Sequence, residues 1–457
     1  GILAILKVGG AYVPQHIGLA KDEQLRYVMK SASISVVLTL SEYKDLVPKV
    51  KGSTHIVVDD FLKANVDNAN EVILPVIAIA EDDICYIIFT SGTTGDPNGV
   101  QVTHKNTCNI LLTSPGNLGI RPGLKVGQIL SIAFDMSVWE ILGSLANVAT
   151  LVIRGKDIQE SVSKVDVVIS TPTILSAMDV NKCKNVRIAI VAGEPCPRVL
   201  AEKWSTFCAF HNSCGPTETT IVNTVKRFFP TDEILSIGKP TPNNTVYILD
   251  ENLEPCAIGE VGEMWAGGYC VTQGYINNHS LTNERYVDDP FLGQGRKMFR
   301  TRDLGRWTSD GELEHFGRTD DQVKICGFRV ELDSVSAIIE KMPERKRAIT
   351  LKIDNRTLFS FVSPEHVDPE KVKQQVEKVL PYYCVPAEVI TMPELPMTSR
   401  GKVDKRKLLD TIPKQEEIIK KENTITKNKE EKVMDAIVKT DHPVIDLNAG
   451  KKDDYPD

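Results

Sequence analysis

The sequence predicts an α/β protein. It should have a large N-terminal domain of parallel-rich sheets with crossover helices, a β-rich subdomain, and a small α+β domain at the C-terminal side. Three observations carry this. Between residues 20 and 230, short runs rich in Val, Ile and Leu alternate with helical patterns, the mark of strands joined by crossover helices. From about 234 to 316, short strands between Gly, Pro and Asn turns replace that alternation. At 317–321 the polar stretch Gly-Arg-Thr-Asp-Asp breaks the pattern before a second mixed segment begins.

Taken in order, strands are predicted at 35–40, 85–89, 127–133, 150–153, 165–170 and 187–192, with helices near 21–33, 136–147, 173–180 and 197–205. The β-rich part is led by 243–249 and 262–266. The small unit has strands at 322–332, 347–353 and 357–362 and helices at 333–341 and 369–379. The predicted domains are 1–319, 320–410, and a charged tail or linker at 411–457 with a helical stretch near 414–439. The chain opens on Gly-Ile-Leu-Ala-Ile-Leu-Lys, which resembles the middle of a helix, so a longer parent protein is expected.

Composition narrows the function. A chain of 457 residues needs two or more domains. A hydrophobic content of 42% with 25% charged residues is typical of soluble globular proteins. The net charge of −7 offers no basic surplus for a nucleic-acid partner. There is no apolar run of about 18 residues, so no membrane span is expected. The ten cysteines are scattered without a Cys-x-x-Cys spacing, which suits reduced thiols and a cytoplasmic setting.

The most informative stretch follows the apolar run Cys85 to Phe89, which breaks into Thr90-Ser91-Gly92-Thr93-Thr94-Gly95. Glycines let backbone N–H groups turn toward a ligand and the hydroxyls add donors, so the loop suits a phosphate chain. A plain turn between two elements is the alternative. The Gly-x-x-x-x-Gly-Lys-Ser/Thr phosphate loop is excluded, because no Lys follows Gly95 at that spacing.

The loop resembles the phosphate loop of adenylate-forming enzymes, with Asn98 where that family has lysine. Further blocks resemble the adenylation domains of nonribosomal peptide synthetases, in the family's order. They are Lys7 to Pro14, Phe134-Asp135-Met136-Ser137-Val138-Trp139-Glu140, Asn212-Ser213-Cys214-Gly215-Pro216-Thr217-Glu218, Gly262 to Tyr275, Arg300-Thr301-Arg302-Asp303-Leu304, Gly317 to Leu332 and Leu395 to Asp404. The resemblance implies ATP- and Mg²⁺-dependent activation of an amino acid as aminoacyl-AMP. Transfer to the phosphopantetheine thiol of a carrier protein would follow, with a condensation domain as a further partner. Alternatives are an acyl- or aryl-CoA ligase and a degenerate nucleotide-binding module without catalysis.

Site roles follow from the same resemblance. Thr90 to Gly95, Gly193, Glu194, Pro195, Asn212, Cys214, Gly215, Thr217, Asp303 and Arg318 are expected around ATP or AMP, and Glu218 at Mg²⁺. Asp135 is expected to grip the substrate's α-amino group, its alternative being a helix N-cap. With it, Met136, Trp139, Ile190, Ala192, Ser213, Ile221 and Val222 should line a mostly apolar pocket for a neutral, medium to large side chain. Lys402 is the expected catalytic lysine, or else a surface lysine, and Asp320 the hinge of a mobile small domain. That domain would withdraw Lys402 and present Lys324 to Leu332 to the site. Four departures from the family's pattern stand out: Asn98, Cys214 for an aromatic residue, Arg302 for glycine, and Cys326 for arginine. Asp333-Ser334 further replaces Gly-Glu.

Overall fold

The computed structural model describes residues 1–17, 20–64, 77–92, 96–325, 327–343, 347–397 and 403–412, and the architecture is α/β. At its centre is a seven-stranded sheet in the order Lys239–Pro240, Thr224–Arg227, Ala209–Cys214, Ile188–Val191, Val167–Ser170, Lys125–Gln128, Thr150–Ile153. The strands from Ala209–Cys214 to Thr150–Ile153 run parallel, and Thr224–Arg227 is antiparallel to both of its neighbours. Every residue of Val167–Ser170 is buried, as expected of a central strand covered on both faces. The helix Met136–Ala146 packs on Lys125–Gln128, and Arg198–Ser205 on Ala209–Cys214.

Two differences from the predicted elements shape the site. The strand expected at 127–133 ends at Gln128. Glu140, fully buried on the next helix, accepts the amides of Ile129 (2.9 Å) and Leu130 (3.2 Å). These bonds draw the chain out of the sheet just before Asp135. In addition, Ile84–Thr90 pairs antiparallel with Asn98–Thr103, so residues 91–97 join two strands of a hairpin.

The β-rich part is antiparallel, with Asn244–Leu249, Gly262–Gly268, Lys297–Trp307 and Tyr286–Asp288 in order and Leu313–Arg318 paired to Lys297–Trp307. The long strand Lys297–Trp307 has no apolar alternation, because its buried positions include Thr301 and Asp303. In the small unit, the strand expected at 322–332 is a hairpin of Gln322–Ile325 and Phe328–Glu331. Gly327, at φ +84°, is in its turn. The helices Leu332–Glu340 and Pro369–Val379 and the strands Arg347–Lys352, Leu358–Ser363 and Glu388–Thr391 complete it. One buried cluster draws on residues from Tyr12 to Phe299 and another on residues from Ile325 to Val389. The helical stretch expected near 414–439 lies outside the described residues. Among those described, no helix is long and apolar enough to cross a membrane.

His211 makes the sheet acid-sensitive. It lies on Ala209–Cys214 directly opposite Arg227, and burial, then this guanidinium, push its pKa down from 6.5 to about 4. The unfolded chain binds the proton near pH 6.5 and the folded chain does not. Stability is therefore unaffected above pH 6.5 and is lost as pH falls from 6.5 to 4, by up to about 3 kcal/mol. Thermal melts across this window should show that loss, and His211→Gln should remove most of it.

Candidate active site

The phosphate-loop face is built from the hairpin's end. Thr90 donates its hydroxyl to the Asn98 carbonyl (3.4 Å). Ser91 donates its hydroxyl to the Arg329 carbonyl (3.0 Å), and Ser334 donates its hydroxyl to the Gly92 carbonyl. The small unit therefore lies against the loop. A Cβ on Gly92 would meet the Asp96 carbonyl oxygen at 2.2 Å, so only glycine fits this turn. Thr93, Thr94 and Gly95 lie outside the described residues. Asn98, in the family's lysine position, has its side-chain oxygen held by the Asn278 amide (3.1 Å). Asn98→Lys would restore a cation here. It should lower KM for ATP by about threefold to tenfold, and the gain should fade in high salt. Steady-state exchange kinetics at two ionic strengths check this.

Asp135 occupies the N-cap position of Met136–Ala146 but makes no capping hydrogen bond. Instead its Oδ2 accepts the Thr217 hydroxyl at 2.6 Å. Burial raises its pKa, against the pull of Thr217 and of the Lys324 charge. Thr217, expected at a phosphate oxygen, here orients the carboxylate. The expected pocket residues Met136, Trp139, Ile190, Ala192, Ser213, Ile221 and Val222 are all buried, and all but Ser213 belong to the main core. Trp139 donates its indole N–H to the Gly116 carbonyl (2.7 Å), and Ser213 donates its hydroxyl to the Val191 carbonyl (2.8 Å). Both polar groups are thereby committed to backbone.

Glu218 is fully buried. Arg329 Nη1 reaches both of its oxygens (2.9 and 3.0 Å), and Tyr275 donates its hydroxyl to Oε1 (2.6 Å). Burial alone would raise this carboxyl, but Arg329 and then Tyr275 outweigh it and hold the pKa below the ordinary value. Lys324 is also enclosed; burial, then Arg329, lower its pKa, while Asp135 and Glu218 oppose them. Phe328 meets Phe134 edge-on, with ring centroids 5.0 Å apart, and stacks on Tyr383 at 4.0 Å. The face from Lys324 to Leu332 is thus the one turned to the site. Lys402 and Cys326 lie outside the described residues.

The expected ribose carboxylate, Asp303, is buried and joined to Arg318 (2.9 Å) and His315 (3.4 Å). Burial would raise it, but His315 and Arg318 prevail and its pKa is lowered. Arg318 also forks onto Asp320 (2.7 and 2.9 Å), linking the ribose position to the expected hinge. Beside Asp303 a narrow cavity is lined by Cys214, Gly215, Pro216, Trp265 and Thr301 among others. Asn212 donates its amide to the Ser236 carbonyl (2.9 Å), a bond within the protein. After Gly193, at φ +85°, the Glu194 carboxylate accepts the Thr173 amide (2.9 Å) and hydroxyl (2.6 Å), and Pro195 follows.

Arg329, Tyr275 and His315 meet expected site residues without being singled out by the sequence motifs. Arg329 lies in the recognised block Gly317 to Leu332, and Tyr275 ends the glycine-rich block. His315 carries no local signal, since strand pairing brings it to Asp303.

A family model described as AMP-binding enzyme matches residues 1–276. The chain belongs to the AMP-binding enzymes. It is 46% identical over 409 residues to an adenylate-forming reductase of Coprinopsis cinerea, covering 89% of this chain and 40% of that protein. It is 34% identical over 426 residues to gramicidin S synthase 1 of Brevibacillus brevis, covering 89% of this chain and 38% of the synthase. The fold resembles a Vibrio cholerae adenylation domain solved with glycyl-adenosine-5'-phosphate, with a TM-score of 0.76, 21% identity, and coverage of 90% and 86% of the two chains. This member of the AMP-binding enzymes therefore spans about two fifths of the curated relatives it matches. The stretch 90–95, Asp135, Glu218 and Asp303 lie in the blocks that resemble those of adenylate-forming enzymes.

Proposed function

We propose that this chain activates an amino acid as aminoacyl-AMP with release of pyrophosphate and passes the acyl group to a phosphopantetheine thiol on a carrier protein. One observation carries the amino-acid reading. Asp135 is a half-buried carboxylate that makes no capping hydrogen bond to the helix it precedes and is held through one oxygen by Thr217. A substrate ammonium meets its need for a counter-charge. Lys324 acts on this carboxylate in the present arrangement; once the small unit withdraws it, the ammonium of an amino acid, which the substrate of an acyl- or aryl-CoA ligase lacks, would take its place.

Thr90, Ser91, Gly92 and the loop beyond would receive the phosphates, and Asp303 the ribose. Glu218, held here by Arg329 and Tyr275, is an oxygen ligand of the kind Mg²⁺ takes, and it would be free for the ion once Arg329 leaves. When bound, Mg²⁺ supplies charge neutralisation at the phosphates. Lys402 would stabilise the charge that builds as the carboxylate attacks the α-phosphate. We assign residues 1–319 and 320–410 as the working units, 411–457 as a linker, and Asp320 as the hinge. The arrangement described above, with Lys324 and Arg329 at the site, would then serve thiol transfer rather than adenylation.

A second reading concerns the fate of the thioester. The 46% identity to a relative named an adenylate-forming reductase favours reductive release over condensation in the parent protein. Amino-acid-dependent ATP–pyrophosphate exchange across a panel of amino acids tests the activity. No exchange with any of them, from folded protein, would sink it. Lys402→Ala should lower exchange by about 10²–10³-fold, and unchanged exchange removes that lysine's role. An aldehyde product from the parent protein, given a hydride donor, would decide for reduction.

A further inference from the structure

The segment joining the two cores passes Arg302, a residue whose conformation and contacts are unusual together. Its backbone is left-handed, at φ +63°, a region that favours glycine. A non-glycine residue persists there where its surroundings over-determine it. Here the surroundings are the junction itself. The Arg302 carbonyl accepts both the amide of Thr319 (2.9 Å) and its hydroxyl (3.2 Å). The Arg302 guanidinium lies 3.8 Å from Asp320 through Nη1 and 2.6 Å from Glu284 through Nη2.

Asp320 thus sits between two arginines. Arg318, from the strand Leu313–Arg318, forks onto it, and Arg302, from the neighbouring strand Lys297–Trp307, approaches its Oδ2 as well. Arg302 then carries the connection on to Glu284 in the helix His279–Arg285 of the large unit. The side chains of Arg302 and Asp320 are only 29% and 18% exposed, so solvent screens this link less than an open-surface pair.

We infer that Arg302 is an anchor for the junction, tying Asp320 to the large unit and holding the small unit in the arrangement seen here. This rests on the proposed use of two arrangements. It adds that this chain opposes departure from one of them through a side chain that glycine would lack. Leaving the arrangement separates Asp320 from Arg302, and salt weakens the tie.

The test uses the whole chain with a fluorophore pair on unnatural side chains at Lys164 and Glu365, both exposed. Energy transfer is read with and without Mg·ATP at low and high salt. Arg302→Gly keeps the left-handed turn and removes the anchor, and Glu284→Gln breaks only its far end. Both should shift the population away from the present arrangement by about three- to fivefold at low salt, and both should lose most of the salt response of the parent protein. Distributions and salt responses identical to the parent in both variants would overturn the anchor alone, provided that Mg·ATP still moves the parent. No movement of the parent with Mg·ATP would overturn the two-arrangement reading and the anchor with it.

Discussion

Replacing Asp135 with asparagine should lower amino-acid-dependent ATP–pyrophosphate exchange by about 10²–10³-fold, because removing one partner of a buried charge pair costs about 2–5 kcal/mol. The substitution is isosteric, and Thr217, which donates to Oδ2 at 2.6 Å, can donate to an amide oxygen as well. Folding stability should therefore stay within about 1 kcal/mol of the parent, since the burial that raises the Asp135 pKa is itself a cost that asparagine avoids. The same burial sets a pH signature. Protonation removes the charge that the ammonium needs, and it begins at a higher pH than for an ordinary aspartate. Activity should then be lost on acidification, and Asp135→Asn should show little of that slope. Exchange assays over a pH series, with parallel thermal melts, check both parts. An asparagine variant with parental exchange would remove the ammonium role.

Replacing Arg329 with alanine should separate the two half-reactions. Glu218 is fully buried, and in this arrangement Arg329 holds both of its oxygens. Breaking a buried pair by removing one partner costs about 3–5 kcal/mol. That loss falls only on the arrangement in which Arg329 faces the site. Loading of a phosphopantetheine-bearing carrier should drop by about 10²-fold or more. ATP–pyrophosphate exchange, which needs Glu218 free for Mg²⁺, should stay within about threefold. Single-turnover loading of a carrier from preformed adenylate, set beside exchange rates, makes the comparison. Equal losses in both assays would show that Arg329 serves adenylation too.

Much of the site was legible because its residues sit in short local patterns. Thr90-Ser91-Gly92 ends an apolar strand, Asp135 follows a Phe before a helix, and Glu218 closes a Gly-Pro-Thr-Glu turn. Each pattern needs only neighbouring residues to be recognised. The boundaries that failed depended on distant ones. The strand expected through residue 133 stops at 128 because Glu140, on the following helix, captures two amides. The strand Lys297–Trp307 hid its periodicity because inward positions carry Thr301 and Asp303 for the site.

By itself, then, the sequence determined the α/β class and the order of the motifs, and the family resemblance supplied the proposed roles: hydroxyls and glycines for phosphate, carboxylates for a cation, an ammonium and a ribose. The class follows from local propensity, and the motif order is read directly off the chain. Only the tertiary structure decided which of those groups meet. It set Thr217 on Asp135, Arg329 on Glu218, and Arg302 on Asp320. Such pairings span up to 111 residues of chain. They are chosen by the packing of separate cores and by the need of buried charges for partners, which no local pattern encodes.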